Sequence, residues 1–576
     1  MAACLSAVML VAVTTSGHAS MEISSKPTQN VNCSGGKCRA TARSAVLNVT
    51  DLENLLSGSD VELQSGKKAK DIVVKAQFFW ASASRLTLDA YRSAEVGQTI
   101  SVTGEGGLTV VTNDGGSGGD FWFGKDGNVD FWSLTDNLNI NGTDFVLVSS
   151  VTSLASAIAS NPDVNVALAA DYDAKADGTY AAPPISTSFG GVVEGLGNSI
   201  SNLAITDLSP GQFVGLFAQP NGTIRNLNLL KVNIQGGDGG GGIEYVGALA
   251  GNMFATIVSH CRVTGRIAGG QGAEVGGFAG NLNGTVSDSS FAGSVSGGNA
   301  SFVGGIEGIG AWILNSSSSG TIKAGDDSQV GGLAGQNESP IVSSSSSAAV
   351  SGGNAVSDGT LAGGLVGYAQ NAITSSHATG NVRVGDGGRA GGLVGIATDE
   401  IANSSASGTV VGRNSSYVGG LMGSGGRGVD GSFAIGSVAA GKNSKVGGFI
   451  GGGTGLLNNV YALGTVHGGA GSSVGGFAGL NVSAVTGAYS IGAATGGANP
   501  GGFAGSSIGS FSDSYWDSTT SGTNTGVGSG DSSGLANLTD AQLKSALPAG
   551  FDPAVWGQSV SVNNGYPYLL ANPPPE

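Results

Sequence analysis

A short string, Val-Gly-Gly followed by an apolar residue, returns in full or near-full form eleven times along this chain and constrains its fold more than any other feature. The units begin at Val214, Val246, Val275, Val303, Val330, Ala362, Ala390, Val418, Val446, Val474 and Pro500, with steps of 32, 29, 28, 27, 32, 28, 28, 28, 28 and 26 residues. A period of this size marks an array in which each unit buries its apolar residues against its neighbours.

Each unit carries three apolar anchors. The fourth residue is Phe217, Leu249, Phe278, Ile306, Leu333, Leu365, Leu393, Leu421, Phe449, Phe477 or Phe503. Eleven residues after the motif begins stand Ile257, Val286, Leu314, Ile341, Ile373, Ile401, Val429, Leu457, Val485 and Phe511, and twenty residues after it Val295, Val350, Val382, Val410, Val438 and Val466. These gaps each fit one short strand and a Gly, Ser or Asn corner, and are too wide for a helical heptad. Three strands per unit make a three-sided coil, and coils stacked at the roughly 4.8 Å strand spacing place every anchor on its equivalents. The spacing predicts an all-β chain: a right-handed parallel β-helix, or β-solenoid, of about eleven coils of roughly 28 residues with capping segments at both ends. A β-propeller needs about 40 residues and four strands per blade.

Composition agrees. The 105 glycines come without a three-residue period and with only 14 prolines, which excludes collagen, and 40% hydrophobic residues argue against disorder. A net charge of −16 with 24 scattered basic residues excludes a nucleic-acid partner.

Serines crowd the segment after the second anchor, as in Ser316 to Ser319 and Ser343 to Ser347, and predict hydroxyl ladders. Fifteen residues into the unit, Ser290, Ser318, Ser345 and Ser405 give way to Phe433, Tyr461, Tyr489 and Tyr515. Position parity with the second anchor predicts that this aromatic ladder points inward as core packing; the alternative is a stacking platform for carbohydrate.

The chain divides into a signal-like segment (1–20), a β-rich region (21–150), a cap with a short helix and entry into the solenoid (151–213), the repeats (214–516), and a C-terminal cap and tail (517–576). The first segment has an apolar stretch from Leu5 to Val13 and a small-residue site at Gly17-His18-Ala19, but no basic residue before Lys26, so the true start can lie upstream. A lipoprotein reading of Cys4 is the weaker one. Ile72 to Trp80, Arg85 to Tyr91, Leu108 to Thr112 and Leu138 to Val148 read as strands, with Phe121-Trp122-Phe123 and Phe131-Trp132 as bulky packing between them. Ser153 to Ser160 reads as a helix. Thr539-Asp540-Ala541-Gln542 reads as a capping box opening a second one through Leu547, and Ala571 to Glu576 as a loose tail. Cys33 and Cys38 suit a small disulfide loop in an oxidising compartment, free thiols being the alternative; Cys261 reads as a small buried residue.

The Val-Gly-Gly-Leu-Val-Gly pattern, from about Phe189 to Trp516, resembles the GLUG-motif repeat of filamentous-haemagglutinin-type bacterial adhesins. Tyr515-Trp516-Asp517 with Gly565-Tyr566-Pro567-Tyr568-Leu569 resembles the close of such arrays, and Leu86 to Ala90 with Ile100-Ser101-Val102 the segment before them. The resemblance implies a β-helix displayed outside a bacterial cell, extracellular or on its surface, with host-cell or matrix carbohydrate or protein as partner, an outer-membrane secretion partner, and no integral membrane segment in the mature chain. It departs in lacking the Asn-Pro-Asn secretion motif, to which only Asn161-Pro162-Asp163 comes close.

The leading expectation is a non-catalytic adhesin or biofilm component. The alternatives are a polysaccharide lyase or hydrolase, or a passive surface spacer. No catalytic, cofactor-binding or metal residue is assigned. Asp326-Asp327 and His467 lack the partners catalysis requires, and the zinc motif of the immunoglobulin-cleaving metalloproteases that carry related repeats is absent. Gly236 to Gly240 and Gly385 to Gly388 lack the nine-residue period of calcium-binding repeats.

Overall fold

The computed structural model describes residues 19–240, 242–357, 359–453 and 455–575. Cys4 and nearly all of the signal-like segment lie outside them. The strands build a β-solenoid of about 18 turns, more than the eleven that the motif counts. The chain divides into two compact units, one holding 1–147 and 196–198, the other 148–195 and 199–576.

The extra turns lie where no Val-Gly-Gly string announces them. In the first unit, three parallel sheets wind a coil whose equivalent anchors are Val61, Leu86, Leu108 and Leu138, all buried. Their spacings of 25, 22 and 30 residues are too irregular to show as a repeat. In the second unit, the helix Val151–Ser160 is capped reciprocally by Ser150 and Ser153. The strands Val166–Leu168, Val192–Glu194 and Ser199–Ser201 already pair in parallel with those that follow, so 151–213 is itself coiled rather than a cap alone.

Within the repeats, the motif is a strand rather than a turn. Its Val-Gly pairs and their equivalents form a ten-stranded parallel sheet in sequence order. Gly391 and Gly392 show why glycine is required: a Cβ would stand 2.0 Å from Val394 O in the first case and 2.0 Å from Gly420 O in the second. Neither has a left-handed backbone, so close backbone approach, not turn geometry, fixes them.

All eleven first anchors are fully buried, as are the six valines of the third set. Two of the second set are displaced by one residue. Ile257 is 52% exposed while Val258 is buried, and Ile313 takes the inward place expected for Leu314. Register shifts between Phe254 and Thr256 and between Leu282 and Thr285 change which residue faces the interior.

The serines are satisfied by backbone more than by one another. Each amide in the series Cys261, Ser289, Ser316, Ser344, Ser376, Ser404 donates to the Oγ of the serine one coil on, at 3.0–3.2 Å, ending at Ser432. The Oγ atoms of Ser289, Ser316, Ser344, Ser376, Ser404 and Ser432 donate to the carbonyl two residues back. Every buried hydroxyl in this ladder is therefore both donor and acceptor.

Candidate binding surface

The aromatic ladder is built by register, from Ser290 through Ser317, Ser345, His377 and Ser405 to Phe433, Tyr461, Tyr489 and Tyr515. Ser317, not Ser318, is its member; Ser318 turns inward and donates to Gly332 O at 2.6 Å. Phe433, Tyr461 and Tyr489 stack at 4.9 and 5.1 Å. They do not point into the solenoid. Ala434 and Ala462 belong to the interior cluster, so Phe433 and Tyr461 face the other way and join a separate core with Leu543, Phe551, Trp556, Tyr566 and Leu569. The parity expectation fails because the residue two places before each aromatic, Gly431, Asn459, Gly487 or Asp513, has φ between 45° and 62°, a left-handed bend that resets the alternation.

A C-terminal strap thus covers the ladder. Pro567 O accepts from the Tyr489 hydroxyl at 2.6 Å, Ala549 O from the Tyr515 hydroxyl at 2.8 Å, and the Trp556 indole N–H donates to Asn459 Oδ1 at 3.2 Å. Thr539 and Gln542 form the reciprocal cap of its helix, Asp540–Ser545, which ends before Leu547. The tail is not loose at Asn572, whose amide donates to Ser404 O and Gly431 O. The ladder is occupied by the chain itself and offers no open stacking platform.

The acidic corner at Asp326-Asp327 has a structural task. Asp327 accepts from the amides of Val356, Ser357 and Gly359 at 2.7–3.2 Å, which holds its carboxyl down at about 2, and Asp326 accepts from Asn354 N at 2.6 Å. Together they pin the loop of the next unit, the one that runs to 32 residues. His467 Nδ1 meets Thr495 Oγ1 at 3.1 Å. Cys33 and Cys38 are joined as a disulfide across a hairpin. Cys261 is buried and heads the serine ladder, and burial pushes its thiol up to about 12. Among the described residues, no group of three or more His, Cys, Asp or Glu side chains is placed to hold a metal ion, and no helix is long and apolar enough to cross a membrane.

Charged and aromatic side chains also gather on one face of the first unit. Five parallel strands, Phe121–Phe123, Ala94–Val96, Asp71–Val74, Ser20–Ser24 and Ser44–Asn48, lie side by side in that order. Met21, Ile23, Ile72, Val74, Ala94, Val96 and Phe121 are buried, so the residues between them line the outer face. That outer row reads Trp122, Glu95, Val73, Glu22, Val46 from one edge to the other. A groove of about 800 Å³ runs over it. On one flank Arg92 holds Asp71 with a two-pronged contact, Nε to Oδ1 at 2.8 Å and a terminal nitrogen to Oδ2 at 2.5 Å, and the Ser93 amide donates to the same carboxylate. On the other, Lys75 pairs with Glu22 at 2.5 Å. Trp122, expected as interior packing, is half-buried at the groove, and Trp132 is 76% exposed. Their apolar bulk suggested interior positions; the two-residue strand period places Phe121 and Phe131 there instead.

These features define a repeat protein of the β-solenoid class. Residues 358–383 and 386–411 match the GLUG motif. No curated protein matches the chain. Among solved structures it is similar to a candidate immunoglobulin A1 protease from Bacteroides ovatus, at 16% identity over 74% of this chain and 93% of the other, with a TM-score of 0.27, a likeness that carries no argument about activity.

Proposed function

We propose that this chain is a non-catalytic bacterial surface or secreted protein, an adhesin or surface-structure component, whose stacked turns display a binding surface outside the cell. One contrast supports the reading. The polar groups of the repeats that would have been candidates for chemistry are consumed in holding turns together, whereas the groove on the first unit gathers an indole and two held ion pairs on one outer face. The GLUG matches agree with a repeat scaffold of this kind.

Binding of the purified full chain to immobilised host-cell surfaces and matrix components tests this. Saturable binding is the expected result. Release of reducing ends from polysaccharides would replace the proposal with a polysaccharide-active enzyme, and no saturable binding to any surface would replace it with a passive spacer. N-terminal sequencing of the exported protein checks export and processing.

A further inference from the structure

We infer that an outer face of the repeat unit, formed on three neighbouring coils around Ile257, Thr285 and Trp312, binds a neutral oligosaccharide. The inference rests on the binding role proposed above and gives it a place and a ligand class.

The face exists because the repeat is irregular there. The strands Ala250–Ser259, Ala279–Ser287 and Glu307–Leu314 pair in parallel, and with the register shifts within them Val258, Val286 and Ile313 fill the interior. Ile257, Thr285 and Trp312 therefore stand side by side on the outside, Ile257 52% and Trp312 48% exposed. Phe254, 63% exposed, adjoins Asn283 in a second outward row of the same strands. In the next four coils the place of Trp312 falls to Pro340, Ala372, Glu400 and Gly428, none of them a large apolar side chain.

Size selects the kind of occupant. Phe254, Ile257 and Trp312 together leave roughly 300 Å² of side chain open. A stable protein interface buries roughly 800 Å² on each partner, so a second copy or another folded chain would find too little here. The row of three coils spans two strand intervals, roughly 10 Å, which suits a pair of linked sugar rings laid across the strands.

Charge narrows the class. None of Thr223, Phe254, Ile257, Asn283, Thr285 and Trp312 is ionisable, in a chain of net charge −16. Glu338, whose amide donates to Gly310 O at the border of the face, already accepts from the Gln336 amide at 3.1 Å. A face of this kind has no excess field to draw in an anion or a cation.

The polar groups between the apolar ones are open. Among the described residues, the Asn283 amide, the Thr285 hydroxyl and the Trp312 indole N–H have no hydrogen-bond partner, and neither the Trp312 nor the Phe254 ring packs on another ring. An amide and a hydroxyl both donate and accept, as the hydroxyl rim of a sugar does. The indole face beside them matches the apolar C–H face of the same ring.

The test is a printed array of neutral and anionic oligosaccharides probed with the full chain and with three variants, Trp312→Ala, Asn283→Ala and, as a control at an exposed apolar residue outside the face, Ile508→Ala, each checked for unchanged amide protection of the three strands. Retention of wild type on neutral glycans, weakened at least tenfold by Trp312→Ala and several-fold by Asn283→Ala but unchanged by Ile508→Ala, is the expected result. Binding that Trp312→Ala and Asn283→Ala both keep, or that Ile508→Ala weakens equally, overturns the face and leaves the binding role standing. Retention on anionic glycans alone overturns the ligand class, and a dimer in sedimentation that Trp312→Ala dissociates overturns the occupant. If no glycan retains wild type while matrix protein does, the oligosaccharide proposal fails and the adhesin reading survives; if neither retains it, both fail.

Discussion

The two units wind the same kind of coil from different materials. In the repeat unit, coils approach through glycine backbones: the Gly364, Gly392 and Gly420 positions each leave no room for a Cβ against the next coil's carbonyl. In the first unit, large side chains fill the interior, with Phe78, Trp80, Phe121 and Phe131 all buried. Three of the six tryptophans lie there, and only 16 of the 105 glycines fall within the first 150 residues. A strictly repeated coil presents the same side-chain positions again and again, and most of its polar groups are spent on stacking. An irregular coil can place an indole and carboxylates on adjacent strands with a guanidinium in the segment beside them. The architecture is shared, and the groove sits on the irregular part.

Substitutions that act on one material and not the other sharpen this contrast. Because a long stack of turns need not unfold as one transition, each is read by local amide exchange as well as by denaturation. The largest effect is expected in the first unit: Trp80→Ala empties a buried site and removes the indole donor to Ser84 O, at a cost of about 4 kcal/mol confined to that unit. In the repeats, Gly392→Ala places a methyl group against Gly420 O and costs about 3 kcal/mol. By contrast Gly58→Ala, in open space within the first unit, changes stability by less than about 0.5 kcal/mol.

The third effect depends on pH. Glu274 is buried on the repeat unit beside Asn281, and burial pushes its carboxyl up to about 7 from 4.5. The folded state therefore holds a proton that the unfolded state releases first. Its contribution is fully present below about pH 4.5 and is lost as the pH rises toward 7, by about 2 kcal/mol once residual solvation is allowed for. Chemical denaturation across that window is expected to show a slope that Glu274→Gln flattens. Smaller again, and above only the Gly58→Ala control, is Ser404→Ala, which leaves the buried Ser376 amide without its acceptor and costs about 1 kcal/mol, with faster exchange at that amide and its neighbours on the ladder.

What was legible in the sequence follows the same division. The period, the first and third anchors and the Thr539–Gln542 capping box are local patterns, and each could be read from residues a few places apart; the cap of the first helix could not, because Ser153 stands where the pattern has Glu or Gln. The turns of the first unit could not, because Val61, Leu86, Leu108 and Leu138 share a register without sharing a motif or a fixed spacing. Displaced anchors at Ile257 and Leu314 trace to bulges that no composition rule marks. The covering of Phe433, Tyr461 and Tyr489 depended on contacts between residues 74 to 97 apart, such as Asn563 with Tyr489 and Trp556 with Asn459. For the groove, Phe121-Trp122-Phe123 is aromatic throughout and so hides which of the three faces outward, and the neighbours Glu95, Val73 and Glu22 come from strands that only stacking brings together.

The most direct test of a shared architecture is hydrogen–deuterium exchange of the full chain, resolved to short peptides. Stacked parallel sheets in both units predict that the amides of Val61–Gln64, Arg85–Asp89 and Gly107–Val111 exchange as slowly as those of Val394–Ala397 and Val410–Gly412. Rapid exchange throughout 61–140 alongside slow exchange in the repeats would contradict it, and would confine the solenoid to the Val-Gly-Gly units.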